Sequence, residues 1–162
     1  MQPPPYVSPF NDDTAGVPDG SKIYRLIRPD WVDWKDTTQR GGGPHIRKNA
    51  FQDYSEEDSL ALGYEGPCMS IAVGKLLDGL GHDPATLPSL TGWDTYGVAI
   101  LDVQEVRAVK SGAQGIQARP EPKMPWHGIV FGLTRAKKNP PIQRELAAIA
   151  EWVVLPVNTS PE

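Results

Sequence analysis

The chain of 162 residues changes its hydrophobic period several times along its length. In SKIYRLIRP, residues 21–29, Ile23, Arg25 and Ile27 alternate with Tyr24, Leu26 and Arg28. Period two with β-branched residues predicts a strand, and Pro29 ends it. DWVDWKD spaces Trp31 and Trp34 three apart, as on a helical turn, and the glycines of TTQRGGGP mark a loop. HIRKNAFQD, 45–53, reads as a second strand, and YSEEDSLALGYEGP as mostly loop. CMSIAVGKLLDGLGH, 68–82, supports two periods. Met69, Ile71 and Val73 alternate as in a strand, whereas Leu76, Leu77 and Leu80 suit a helix that stops at Gly79 or Gly81. The expectation is a short strand feeding a helix, or one helix throughout.

HDPATLP reads as a loop with a helical turn, and TYGVAILDV as a buried strand. DVQEVRAVKSG follows as a short helix with Asp102 as N-cap and Gly112 as its stop. QGIQARPEP is a strand ended by Pro120, and WHGIVFGL is another. NPPIQRELAAIAEW has the clearest helical pattern: Asn139 can cap it, the prolines fit its first turn, and Ile142, Leu146, Ile149 and Ala150 form one apolar stripe. VVLPV closes the chain as a strand. Only some strands alternate with helices, and there are no internal repeats. The expected class is α+β: one domain over residues 21–158, with a mixed, largely antiparallel sheet and two to three short helices. Residues 1–20 mix Pro, Asp and Gly without a period. They read as a Pro-rich tail, disordered or loosely docked through Tyr6 and Phe10.

Composition sharpens this outline. The 16 glycines and 17 prolines call for short elements joined by much loop. A net charge of -4 with both signs dispersed argues against non-specific nucleic-acid binding, which needs a basic face. Cys68 is the single cysteine, so no internal disulfide forms, as suits a reducing cytosol. MQPPPYVSPF lacks the basic and apolar regions of a secretion signal, and no apolar run approaches about 20 residues, the length of a membrane span. The expectation is a cytoplasmic bacterial protein with no membrane partner.

The candidates for chemistry are few. Cys68, where a helix can begin, and His127, on a later strand, could form a nucleophile and base as in papain-like folds. The alternative is a buried Cys acting as a small hydrophobe. His45, His82 and His127 have no ligand-like spacing and there is no CxxC, so no metal is expected. RGGGP, 40–44, is not a nucleotide P-loop, since no Lys-Ser or Lys-Thr follows it. It is either a surface loop or one whose amides approach an anion, flanked by Arg40 and Arg47. Arg25 in the first strand and Ser70 in a later element suit a dinucleotide, with the guanidinium on phosphate and the hydroxyl on ribose. The alternatives are a surface arginine and a strand-end hydroxyl.

The chain from about residue 23 to 156 resembles a group of short uncharacterised bacterial proteins. The shared features are the Tyr24-Arg25 opening, the Ala50-Phe51 strand end, Met69-Ser70, the strand bearing His127, and the closing Ala-Glu-Trp-Val. More distantly, Tyr24-Arg25, the glycines at 41–43 and Ser70 are similar to the RES-domain toxins and the wider ADP-ribosyltransferase-like fold. That resemblance implies a pocket acting on NAD as substrate. Arg25, Ser70 and His127 would be its working residues, with Tyr24 and Arg47 binding substrate. The chain departs from the RES pattern in two places. GGGPHIRKN replaces a GRWN-like stretch, and no Glu occupies the matching place, which leaves Asp102 and Glu105 as the carboxylates to nominate. A different reading is a non-enzymatic accessory subunit of a bacterial defence or toxin system that binds a protein partner. His127 has three readings: base to a thiol, polar group in a nucleotide pocket, or packed ring beside Trp126.

Overall fold

The computed structural model describes residues 17–51, 69–109, 115–131 and 140–158. Tyr6, Phe10, Cys68, Gly112 and Asn139 lie outside them. The described residues form an α+β arrangement. Its strands are β1 (Lys22–Ile27), β2 (Val32–Asp33), β3 (His45–Ile46), β4 (Met69–Val73), β5 (Gly97–Asp102), β6 (Gly115–Ala118), β7 (His127–Phe131) and β8 (Glu151–Val154). The helices are α1 (Gly74–Gly79), α2 (Leu87–Thr91), α3 (Val103–Arg107) and α4 (Pro140–Ile149). Six strands make one sheet in the order β6-β7-β4-β1-β5-β8, and β2 and β3 make a small ribbon. All the pairings are antiparallel. Among the described residues no helix is long and apolar enough to cross a membrane.

The first strand forms the middle of the sheet. β1 pairs with β5 along its whole length, from Lys22–Asp102 to Ile27–Gly97. Its pairing with β4 is confined to Ile23–Val73 and Tyr24–Ala72. Beyond Tyr24 the two strands part, which leaves a fork in the sheet. Period two then sorts the side chains. Ile23, Arg25 and Ile27 are buried on one face, with Val73, Ala99 and Leu101 beside them in register. The 3-10 turn Lys48–Phe51 and α4 pack together, and bury Phe51, Leu146 and Ala150. The opposite face carries Tyr24, Ala72 and His127 as one row across β1, β4 and β7, with Ser70 and Leu26 one step along.

Several elements differ from the expectation, each for a local reason. The strand expected over 45–53 is only His45–Ile46, after which Lys48–Phe51 forms a 3-10 turn. Ala50 and Phe51 are adjacent and both fully buried, which a strand with one wet face cannot provide. The helical turn expected in HDPATLP is the 3-10 turn Pro84–Thr86, capped by Asp83 accepting from the Ala85 N–H at 2.9 Å, and it runs on into α2, where Pro88 fits the first turn and Gly92 at φ 81° ends the helix. This adds a fourth helix to the two or three expected. Trp31 ends a 3-10 turn, but Trp34 does not continue it, because Val32–Asp33 pairs with β3. β8 begins at Glu151, two residues before the expected closing strand. At the other end, Val17 is fully buried and donates its N–H to the Ile116 carbonyl at 2.9 Å, so the core extends four residues upstream of residue 21. Residues 69–82 resolve as strand then helix, and Asp102 caps α3.

Two positions give tests of these constraints. A Cβ on Gly128 would stand 2.7 Å from the Gln117 carbonyl oxygen and 2.7 Å from Val73 Cγ2. Backbone on one side and a core methyl on the other leave little to give way. Gly128→Ala is expected to destabilise the protein by about 1–3 kcal/mol in urea unfolding. Asp102 accepts from the Gln104 N–H at 2.9 Å and from Lys22 Nζ at 2.6 Å. The Lys22 bond chiefly holds its carboxyl below the ordinary value of 3.8. A depressed carboxyl stabilises the fold above its ordinary value and loses that contribution as pH falls through the lowered one. Asp102→Asn keeps a capping oxygen but removes the titration. Its stability, measured against pH, should fall less steeply than wild type below about pH 3.8.

Candidate functional site

A cavity of about 640 Å³ opens on the Tyr24 face of the sheet and reaches through the β1/β4 fork. Its floor is Tyr24, Ser70, Ala72 and His127. Leu87 and Thr91 of α2, Trp93, Tyr96, Met124 and Trp126 also line the cavity. On the fork side, Arg25, Arg28, Trp31 and Asn49 close it. Four residues chosen on sequence, Tyr24, Arg25, Ser70 and His127, therefore border one space.

His127 is 5% exposed and both ring nitrogens are engaged. Nδ1 lies 2.9 Å from the Arg119 carbonyl oxygen. A carbonyl can only accept, so Nδ1 carries the hydrogen and donates it. In the neutral ring Nε2 is then an acceptor, and it faces Ser70 Oγ at 3.2 Å. The Ser70 hydroxyl is thus placed to donate to Nε2. The Glu121 carboxylate stands 3.6 Å from Nδ1 and is 42% exposed on its side chain. The Arg119 carbonyl is the nearer group and fixes the tautomer. The tight turn before β7 presents the ring: the His127 N–H bonds the Met124 carbonyl at 2.9 Å and the Arg119 N–H bonds the His127 carbonyl at 2.8 Å.

Arg25 is 4% exposed, although it sits in a strand. Its Nε donates to the Ala50 carbonyl at 2.9 Å and its Nη1 to the Ser70 carbonyl at 2.8 Å. The guanidinium lies 5.2 Å from the centroid of the Trp31 ring, and that of Arg28 lies 5.3 Å from it. Arg28 is exposed and pairs with Asp30 at 3.0 Å. Burial, the largest effect, and then the charge of Asp78 raise the Tyr24 phenol above its ordinary value, so it stays a hydroxyl donor at neutral pH. At the rim, Trp93 and Tyr96 stack with centroids 5.4 Å apart and planes 18° apart, and Trp93 is 48% exposed.

Other nominated residues lie elsewhere. Arg47 is exposed beyond β3 and does not line the cavity. Asp102 serves Lys22 and the cap of α3, and Glu105 pairs with Arg40 at 2.6 Å. The RGGGP loop is a seat for β8: Gly43 has φ 99°, a Cβ there would approach Trp152 Cδ1 at 2.8 Å, and Trp152 Nε1 donates to the Pro44 carbonyl at 2.8 Å. Trp126 is packed edge-on against His82, with centroids 5.5 Å apart. Among the described residues no group of three or more His, Cys, Asp or Glu could hold a metal ion. Sequence reasoning missed Trp31, Trp93, Tyr96 and Glu121. The available signal was the i, i+3 spacing of Trp93 and Tyr96 in TGWDTYG. Comparisons with protein-family models, curated proteins and solved structures find no match.

The carbonyls of Ala50 and Ser70 would lose buried partners in Arg25→Met. Each orphaned carbonyl costs about 1–3 kcal/mol. The variant is expected to lose roughly 3 kcal/mol in denaturant unfolding. A loss under about 0.5 kcal/mol, the level of an ordinary surface substitution, would refute the structural role.

Proposed function

We propose that the cavity is a nucleotide-handling site that takes NAD or a related dinucleotide as substrate. The observation that carries the reading is the convergence of Tyr24, Arg25, Ser70 and His127 on one space rimmed by a stacked, solvent-facing aromatic pair. The exposed face of Trp93 offers a platform for a planar base, and base–aromatic stacking contributes about 1–3 kcal/mol per base. The ligand's phosphates are met by Arg28, whose charge is accessible at the fork. Arg25 stands behind it as a fixed positive charge, since its Nε and Nη1 donate to carbonyls. Ser70 and Tyr24 offer hydroxyls to a ribose. An ADP-ribosyltransferase-like or NAD-cleaving reaction fits such a site.

The test is a thermal-shift series with NAD, ADP-ribose, inorganic phosphate and no ligand. At 100 times its dissociation constant a ligand stabilises by about 2.7 kcal/mol. For a chain of this size that is a rise of roughly 5–10 °C. NAD and ADP-ribose should both raise Tm and phosphate should not, and Trp93→Ala should weaken NAD binding about tenfold. Nicotinamide release then reports cleavage. Equal unfolding temperatures in all four conditions would end the nucleotide reading.

A further inference from the structure

We infer that Ser70 is a nucleophile activated by His127, and that the cavity floor accordingly hydrolyses carboxylic esters. The inference needs the cavity but not the identity of a nucleotide. Three observations support it. Ser70 Oγ is within hydrogen-bonding reach of His127 Nε2, at 3.2 Å. The opposite ring nitrogen is locked as a donor by the Arg119 carbonyl at 2.9 Å, so Nε2 is the basic atom and is aimed at the hydroxyl. The pair lines the cavity, whose lining also includes Trp31, Trp93, Tyr96 and Trp126.

This is the arrangement by which a weak hydroxyl is made reactive: a base within reach, itself oriented by a third group. Here a backbone carbonyl does the orienting. The permanent charge of Arg25, whose Nη1 is 2.8 Å from the Ser70 carbonyl, lies beside the reacting residue. That hydrogen bond fixes the backbone of the reacting residue.

The step balances without an added oxidant or reductant. Oγ forms a bond to the ester carbonyl carbon as its proton passes to Nε2, and the carbonyl electron pair moves onto oxygen. Collapse breaks the bond from carbon to the alcohol oxygen, and the proton on Nε2 goes to the departing alcohol. Water then attacks the acyl-serine, Nε2 takes the proton of water and returns a proton to Oγ, and a carboxylic acid leaves.

The probe is diisopropyl fluorophosphate, which bonds an activated serine and expels fluoride. The full chain is incubated with it, and the modified residue is located by peptide mass spectrometry. The expected result is one adduct, on Ser70, with none in Ser70→Ala. The labelling rate should fall at least 100-fold in His127→Gln, and p-nitrophenyl acetate hydrolysis should fall in parallel. Far-ultraviolet circular dichroism and a cooperative thermal unfolding transition without ligand verify that each variant is folded. Intact wild-type protein left unlabelled at Ser70 overturns the inference, whatever the variants do. So does labelling at an undiminished rate in a folded His127→Gln. Labelling without any NAD shift would leave the esterase standing and remove the nucleotide reading, while an NAD shift without labelling would do the reverse.

Discussion

The guanidinium of Arg25 stands where β1 and β4 separate, and the floor of the cavity depends on how that separation is held. Antiparallel strands that stop pairing inside a sheet leave carbonyls facing a dry gap, and an unmet buried carbonyl is costly. Arg25 supplies donors in that gap, one to Ser70 and one to Ala50. It thereby ties the start of β4 and the 48–51 turn to the central strand with one planar group. No other side chain combines a fixed charge, a forked set of donors and a flat face that can lie against Trp31. A lysine at this place could meet only one of the two carbonyls with comparable geometry. The fork stays open, and the cavity extends through it rather than ending at a closed sheet.

The same device gives the Ser70–His127 pair its precision. β4 is fixed by Arg25 on one side and by the β7 ladder on the other, so Ser70 has little freedom of position. His127 is placed by the pleat of β7 and oriented by the Arg119 carbonyl, a group that neither rotates nor titrates. A carboxylate in that place would bring charge and rotamers with it. The half-exposed Glu121, 3.6 Å away, has both and is the weaker partner. Rigid backbone thus replaces a third charged side chain in holding the ring.

Much of this order was legible along the chain. The alternation in SKIYRLIRP and the apolar run of TYGVAILDV read as the strands they form, and Asp102 marked the start of α3 because a capping carboxylate reads locally. The strand expected after His45 failed because Phe51 is drawn under the sheet by tertiary packing, which period alone does not record. Arg25, Ser70 and His127 were visible as polar residues in apolar runs. Their common address was not, since the pairs Tyr24–Ala72 and Ala72–His127 join positions far apart in the chain. Tyr96 was read as part of the strand TYGVAILDV, which begins only at Gly97, and that reading separated it from Trp93, three residues before it, with which it stacks. The glycine run invited an anion-binding reading, whereas Trp152, over a hundred residues later, explains it through Pro44.

The central place of β1 also bears on how the chain assembles. Among the described residues it is the first strand in the chain, yet its neighbours are residues 69–73 and 97–102. Until those are made, a nascent Ile23-Tyr24-Arg25 has no edge to join, and its hydrogen-bonding groups remain in water. Distant pairings of this kind slow the search for the native state and lengthen the exposure of unpaired strands. Arg25, buried only once the sheet has closed, puts a charge in the middle of that waiting segment. A charge within an unpaired strand opposes pairing with another copy, so the residue that braces the fork has the chemistry of a gatekeeper while the strand waits.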